Sequence, residues 1–187
     1  AAINASGIAG VTATASTVVT LDDNAVADGY FLDVAALAAS DTMAYTLSIN
    51  GEAVFTAAAV DTAGITIDTA VAAINTVSGD SGVVASKDSN NKLVLTAADG
   101  RNIKVDETFA FTDGATAASN SSGVVESVFS TQTLTDDTTA SDDSANVSQS
   151  LTYRGQLTLL SSDDIVINSD GAILGFSAGS YAAASSL

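Results

Sequence analysis

A short polar turn between two alternating segments constrains the fold of this chain more than any other feature. Residues 45–49 alternate apolar and polar side chains, which is the period of a strand buried on one face. Asn50-Gly51 follows directly, and both residues accept the positive φ angles that a two-residue hairpin turn requires. The return strand begins at Ala53. The sequence therefore predicts antiparallel β-structure in the middle of the chain.

A helix and further strands are predicted after this hairpin. Asp68 is expected to cap a helix over residues 69–77, and Gly79 suits the position just after the helix. A narrow apolar stripe on this helix is formed by Val71, Ile74 and Val77. Turn-forming residues then separate strands predicted at 82–86, 92–96 and 102–105.

Two short blocks of sequence occur twice. Ala1-Ala2-Ile3-Asn4 is repeated as Ala72-Ala73-Ile74-Asn75. Farther along the chain, Gly10-Val11-Thr12-Ala13 corresponds to Gly82-Val83-Val84-Ala85, with the spacing changed by one residue. Two matches at nearly the same offset indicate an internal repeat, whereas short matches in Ala-rich sequence also arise by chance. The sequence leaves both explanations open.

The remaining segments complete a predominantly β chain. Strands are predicted at 11–21, 29–34, 124–134, 153–160 and 165–167, with loops at 113–122 and 135–150 and a small-residue loop or short helix at 171–176. The predicted fold class is α+β, predominantly β, an elongated pair of small subdomains with short helices packed on antiparallel sheets. One subdomain is 41–112. The other joins 1–40 to 113–187, because a chain that enters an inserted domain must return near the same place.

Composition excludes much of the common chemistry of enzymes. The 187 residues include neither Cys nor His, so the chain has no thiolate nucleophile, no imidazole base and no metal ligand of either type. The formal net charge of −17, from 22 acidic and five basic residues, disfavours nucleic acid and anionic membranes as partners. We therefore expect no enzyme activity, no cofactor and no metal.

Charged clusters are the remaining candidates for a polar site. Paired carboxylates could bind Ca²⁺ or act as acid and base on a glycoside, although neighbours on a strand point to opposite faces and solvated turns are the simpler explanation. The pairs are Asp22-Asp23, Asp136-Asp137, Asp142-Asp143 and Asp163-Asp164. Four of the five basic residues lie within 87–104. They could contact a neighbouring subunit or balance acidic residues of the same molecule.

The run 45–105 resembles the "IN" motif in the variable outer region of bacterial flagellins. The resemblance rests on the blocks at 45–51, 72–75, 82–86 and 93–103, and the stretch 153–176 is similar to the segment that closes this region. The residues that match the motif are Ile49, Asn50, Gly51, Ala73, Ile74, Asn75, Asp99, Gly100 and Arg101. The motif also occurs in filament cap and hook-associated proteins, so it does not single out the filament subunit.

The resemblance implies a structural role outside the cell. The chain would be the surface-exposed outer domain of a flagellin, contributing to filament surface properties, antigenicity and lateral contacts in bacterial motility. Its partners would be other flagellin subunits, through helical termini of which this sequence shows nothing, and neighbouring outer domains. We expect an excised fragment that is monomeric in isolation. Alternatives are the outer domain of a cap or hook-associated protein, or an adhesin-like glycan-binding module. Loops at 119–122 and 135–150 offer hydroxyls for O-glycosylation, with no residue specified.

Overall fold

The computed structural model of the protein describes residues 2–5, 10–21, 29–34, 42–60, 64–112, 123–134, 146–167 and 179–181. Short helices and antiparallel sheets make up these residues, which confirms the predicted class, α+β and predominantly β. None of the helices in this part of the chain is long and apolar enough to cross a membrane.

The elements are numbered along the chain. The helices are α1 (Ala2–Ala5), α2 (Ile67–Thr76) and α3 (Ser78–Ser81). The strands are β1 (Val11–Thr20), β2 (Tyr30–Asp33), β3 (Thr42–Ile49), β4 (Glu52–Val60), β5 (Ile65–Thr66), β6 (Val84–Lys87), β7 (Leu93–Ala97), β8 (Ile103–Thr112), β9 (Gly123–Ser127), β10 (Ser130–Leu134), β11 (Asn146–Tyr153), β12 (Gln156–Ser161), β13 (Ile165–Ile167) and β14 (Gly179–Tyr181). The sheets have the strand orders β12-β1-β7-β6, β10-β9-β2-β5, β11-β8-β3-β4 and β13-β14.

The chain divides into two compact units. Unit 1 joins residues 1–15 to 156–187, and unit 2 is the continuous segment 16–155. The predicted subdomain boundaries at 40/41 and 112/113 fall in or beside 35–41 and 113–122, which lie outside the described residues. Unit 2 extends past those positions because β1, β2, β9 and β11 pair with one another or with strands from the middle of the chain.

The sheet β11-β8-β3-β4 contains the predicted hairpin. Every second residue of β3, from Met43 to Ile49, is buried, as the alternation in the sequence predicts. Asn50 and Gly51 form the turn with φ angles of 53° and 89°, the left-handed values that an Asn-Gly hairpin turn uses. The register between β3 and β4 shifts twice, so that the edge strand β4 is bulged.

The buried faces of these elements share one hydrophobic core in unit 2. Aromatic rings lie at its centre: the Phe31 ring is 6.0 Å from Tyr45 and 5.7 Å from Phe129, both edge to face, and Tyr45 is 5.3 Å from Phe109. Such pairs contribute roughly 0.5–1.5 kcal/mol each beyond the area they bury. The core therefore depends on few, large side chains, as expected for an Ala-rich chain.

Helix α2 begins earlier than predicted. Its N-cap is Thr66, whose hydroxyl accepts a hydrogen bond from the Thr69 N–H at 3.2 Å, and Asp68 lies inside the first turn instead. The earlier start buries Ile67 at the first helical position. Burying an Ile side chain stabilises the fold by about 1.5–3 kcal/mol, which outweighs the difference between a Thr and an Asp cap.

The buried face of α2 is the predicted one, but the end of the helix differs from the prediction. Ile74 is buried and Val71 packs against the core, and the same face continues one turn toward the N-terminus through Ile67 and Ala70. Gly79 does not follow the helix as its terminator, because it lies inside α3. The left-handed residue that ends this helical region is Gly82, with a φ angle of 71°.

Two segments predicted as single strands are divided in the structure. Residues 124–134 belong to the hairpin of β9 and β10, in which buried Val128 donates its N–H to the Phe31 carbonyl at 3.0 Å. Residues 153–160 are divided at Arg154-Gly155 between β11 and β12. The predicted loop at 135–150 ends where β11 begins, at Asn146. The segments 113–122, 135–145 and 171–176 lie outside the described residues.

Candidate functional site

The residues that match the motif occupy three joints of unit 2. Ile49, Asn50 and Gly51 form the tip of the β3–β4 hairpin, Ala73, Ile74 and Asn75 lie near the end of α2, and Asp99, Gly100 and Arg101 form the turn between β7 and β8. Ile49 and Ile74 are completely buried in the core. The polar residues converge on the connection from α2 through α3 to β6. We call Asn50, Asn75, Ser81, Asp99 and Arg101 the polar joint.

Asn50 connects the hairpin tip to two other segments. Its Nδ2 donates to the Ser81 carbonyl at 2.9 Å, and its Oδ1 accepts the Lys104 N–H at 2.8 Å. The Asn50 N–H also donates to the Lys104 carbonyl at 2.8 Å. Each such bond contributes about 0.5–1.5 kcal/mol net, so Asn50 holds the hairpin against α3 and the start of β8.

Asn75 connects the end of α2 to the backbone of β6. Its Nδ2 donates to the Ala85 carbonyl at 2.9 Å, and its Oδ1 accepts the Ala85 N–H at 2.8 Å. The side-chain amide therefore bonds to one residue in the way that a neighbouring strand would. The preceding residue, Ile74, is buried in the core.

Arg101 completes the polar joint from the turn between β7 and β8. Its Nε donates to Asp99 Oδ2 at 2.7 Å, and its Nη1 donates to the Ser81 carbonyl at 3.3 Å. The Arg101 carbonyl accepts the Thr17 hydroxyl at 2.6 Å. The pKa of Asp99 is lowered, first by the hydrogen bond from the Arg101 backbone N–H and then by the one from the Arg101 side chain.

Ser81 lies at the centre of the polar joint, and the sequence offered little sign of it. It is completely buried, its carbonyl accepts from both Asn50 and Arg101, and its hydroxyl accepts the Val83 N–H at 3.2 Å. In sequence, residues 78–82 look like an ordinary polar loop. At Gly82, the φ angle of 71° disfavours any residue with a side chain, and a Cβ there would also displace the Arg101 guanidinium.

The internal repeat indicated by the sequence has a structural counterpart in unit 1. Asn4, near the end of α1, donates its Nδ2 to the Ala13 carbonyl at 2.8 Å and accepts the Ala13 N–H at 2.7 Å. These are the two bonds that Asn75 makes with Ala85. Gly10 and Gly82, each three residues before the clamped Ala, have φ angles of 77° and 71°. Shared bonding and backbone conformation favour a true repeat over chance.

A buried carboxylate in the sheet β11-β8-β3-β4 forms a second polar cluster. Glu107 is 1% exposed, and its Oε1 accepts the Tyr45 hydroxyl at 2.7 Å while its Oε2 accepts the Gln149 amide. The pKa of Tyr45 is raised well above its ordinary value, mainly by burial and further by Glu107. Burial and then Glu107 also raise the pKa of Tyr153.

Sequence alternation could have located Glu107. Ile103, Val105, Phe109 and Phe111 are buried at every second position of β8, and Glu107 falls in the same series. A charged residue at an inward position of a strand predicts a buried polar partner. The partner residues belong to β3 and β11, so only the tertiary structure identifies them.

The structure describes some of the charged clusters considered in the sequence. Asp163-Asp164 is exposed, and the other acidic pairs lie outside the described residues. Within the described part of the chain, no three carboxylates are grouped so that they could hold a metal ion. Among the described residues of unit 2, Lys87 forms an ion pair with Asp68, Arg101 with Asp99 and Lys104 with Asp106.

The chain was also compared with models of known protein families, and no family model matches it. The interpretation of the polar joint therefore rests on its geometry. Its amide, guanidinium and carboxylate groups bond to the backbone of β6, α3 and β8 or to each other, which fixes the path of the chain between α2 and β8. This is the chemistry of a structural site.

Proposed function

We propose that the chain is the outer domain of a flagellar filament subunit of the flagellin type, exposed on the outside of a bacterial cell. In this role it contributes to the surface properties and antigenicity of the filament and to lateral contacts between neighbouring subunits. Its own contribution to motility is structural, and no reaction is assigned to it.

The observation that carries the proposal is the position of the motif residues. The segments on which the resemblance to flagellins rests are distant in sequence, yet Asn50 and Arg101 both bond to the Ser81 carbonyl and Asn75 bonds to Ala85, so that all three hold the connection from α2 to β6. Matching residues that hold the same connection are better support for the resemblance than the same residue types at structurally unrelated positions would be.

Charge and composition add weaker support. A net charge of −17 gives a surface that stays soluble and repels like surfaces, which suits a domain displayed in many copies. The whole chain contains neither Cys nor Pro, so disulfide formation and slow X-Pro isomerisation cannot delay folding after export in an unfolded state.

Immunogold electron microscopy tests the proposal directly. Antibodies raised against the purified chain are applied to intact cells of the organism that encodes it, with a strain that lacks the gene as the control. We expect gold particles along the whole length of the flagellar filament, because every subunit would display this domain.

The distribution of gold distinguishes the alternatives. Labelling confined to the filament tip would indicate a cap protein, and labelling confined to the junction of hook and filament would indicate a hook-associated protein. Gold on the cell body but not on flagella would reject a flagellar role and direct attention to glycan binding by the purified chain.

A further inference from the structure

Strand β6 lies at the open edge of a sheet. Among the described strands, the order β12-β1-β7-β6 gives β6 a neighbour on one side only. An edge strand exposes a row of unpaired backbone N–H and C=O groups, which can pair with a strand of another molecule. In a protein present in many copies, such an edge is a direct route to association.

The register of β6 identifies the backbone groups that point away from the sheet. Val84, Ala85 and Ser86 of β6 lie opposite Thr96, Leu95 and Val94 of β7, in antiparallel order. In an antiparallel pair, the backbone N–H and C=O groups of successive residues alternate: those of one residue bond to the partner strand, and those of the next point away from it. The N–H and C=O of Ala85 both bond to Asn75, so Ala85 is an outward-pointing residue and its groups lie on the free edge.

Side chains from the preceding helices occupy this edge. The Asn75 amide supplies one donor and one acceptor to Ala85, which are the groups that an added strand would supply. Two residues earlier, the Ser81 hydroxyl accepts the outward N–H of Val83. Three outward groups are therefore already bonded within the molecule.

We propose that Asn75 is an edge cap that prevents a second copy of this chain from adding its own β6 to the sheet. Such pairing requires the end of α2, which the Asn75 amide holds beside Ala85, to move away from this edge. Two antiparallel β6 strands centred on Ala85 would place Lys87 of one copy opposite Val83 of the other, so no like charges would face each other. The side chain next to the cap, Val84, is 53% exposed and would not obstruct an incoming strand.

The test is the variant Asn75→Ala, followed by sedimentation velocity over a wide range of concentration. We expect the variant to keep its circular dichroism spectrum and to form species of twice the monomer mass, while the wild-type chain remains a monomer. Adding Val84→Lys should restore the monomer, because a lysine on an edge strand opposes strand addition.

Asn50→Gly is the matched control. It also removes two side-chain bonds to the backbone, and glycine tolerates the φ angle of 53° at this position, but it opens no edge of β6. It should remain monomeric. A folded, monomeric Asn75→Ala variant would overturn the proposal, as would equal association of the Asn50→Gly control.

Amide hydrogen exchange keeps the proposal testable if Asn75→Ala does not fold. In the wild-type chain, the Ala85 amide should exchange as slowly as that of Leu95 in the central strand β7, although Ala85 lies on an edge. In a folded Asn75→Ala variant it should exchange about fivefold faster or more, since a hydrogen bond contributes on the order of 1 kcal/mol. Wild-type exchange of Ala85 at the rate of an open edge amide would contradict the cap.

Discussion

At the scale of single residues, asparagine side chains repeatedly make the hydrogen bonds that a neighbouring backbone segment would otherwise make. The Asn side chain carries a donor and an acceptor on a short stem, so that it can satisfy both the N–H and the C=O of one residue. Asn4 and Asn75 do this for Ala13 and Ala85, and Asn50 bonds to both Ser81 and Lys104. Aspartate lacks the donor, so it could satisfy only the N–H of each pair.

Glu107 is a second residue whose place in the fold depends on specific hydrogen bonds. A carboxyl group that is 1% exposed incurs a large desolvation cost unless it is hydrogen-bonded. Tyr45 and Gln149, from the two strands that flank β8, supply donors to its two oxygens. The pairing fixes the relative register of β3, β8 and β11 at this level of the sheet.

Replacing Tyr45 with Phe should produce a pH-dependent change in stability. Near neutral pH the variant loses a buried hydrogen bond to Glu107, and we expect a lower free energy of unfolding by about 1–3 kcal/mol. The raised pKa of Tyr45 keeps the phenol protonated in the folded state at pH values where the unfolded chain ionises. That contribution is complete below about pH 10 and is lost as the pH rises above it.

Urea unfolding of both proteins from neutral pH to about pH 11 checks this expectation. The difference in unfolding free energy should shrink above about pH 10, because only the wild-type chain has Tyr45 to ionise. A difference that stays constant across this range would show that Tyr45 titrates normally.

At the scale of elements, helix α2 shows how packing sets the ends of a helix. Thr66, not Asp68, provides the cap, because this start places Ile67 in the core. Asp68 still stabilises α2 from the first turn, where its negative charge interacts favourably with the helix dipole. It also forms an ion pair with Lys87 of β6. Both ends of α2 are thus connected to the strand that follows it, Asp68 through Lys87 and Asn75 through Ala85.

The variant Thr66→Ala tests the helix start. It removes the hydroxyl that accepts the Thr69 N–H, and we expect a loss of about 1 kcal/mol in the free energy of unfolding, measured by urea denaturation. Thr66→Ser keeps the hydroxyl and should retain most of the stability. If the alanine and serine variants are equally stable, Thr66 is not the cap.

At the scale of the whole molecule, the chain contains two versions of one arrangement. In unit 2, α2 leads through the Asn75 clamp to β6, and β6 is followed by the turn at 88–92 and its neighbour β7. In unit 1, α1 leads through the Asn4 clamp to the start of β1, and β12, one of the two neighbours of β1, comes only after unit 2 in the chain. The long segment between β1 and β12 therefore corresponds in sequence to the short turn at 88–92 that joins β6 to β7.

We expect residues 16–155 to fold without unit 1. This segment contains all of the described buried core except Ala13, and its two ends are adjacent, since the backbone of Gly155 lies against the Thr17 side chain. The isolated segment should give a cooperative thermal transition by circular dichroism and dispersed amide resonances. A non-cooperative melt would show that unit 2 depends on residues 1–15 and 156–187.

The features that the sequence determined are local ones. Alternation in β3, the Asn50-Gly51 turn and the repeated blocks around Asn4 and Asn75 each depend on residues close together in the chain, where steric limits and period act directly. Only the tertiary structure decided the start of α2, the division of residues 124–134 into a hairpin and the partners of Asn50, Ser81 and Glu107. Those partners are brought together from as many as 62 residues apart, and burial of a few large side chains selects among local conformations of similar free energy.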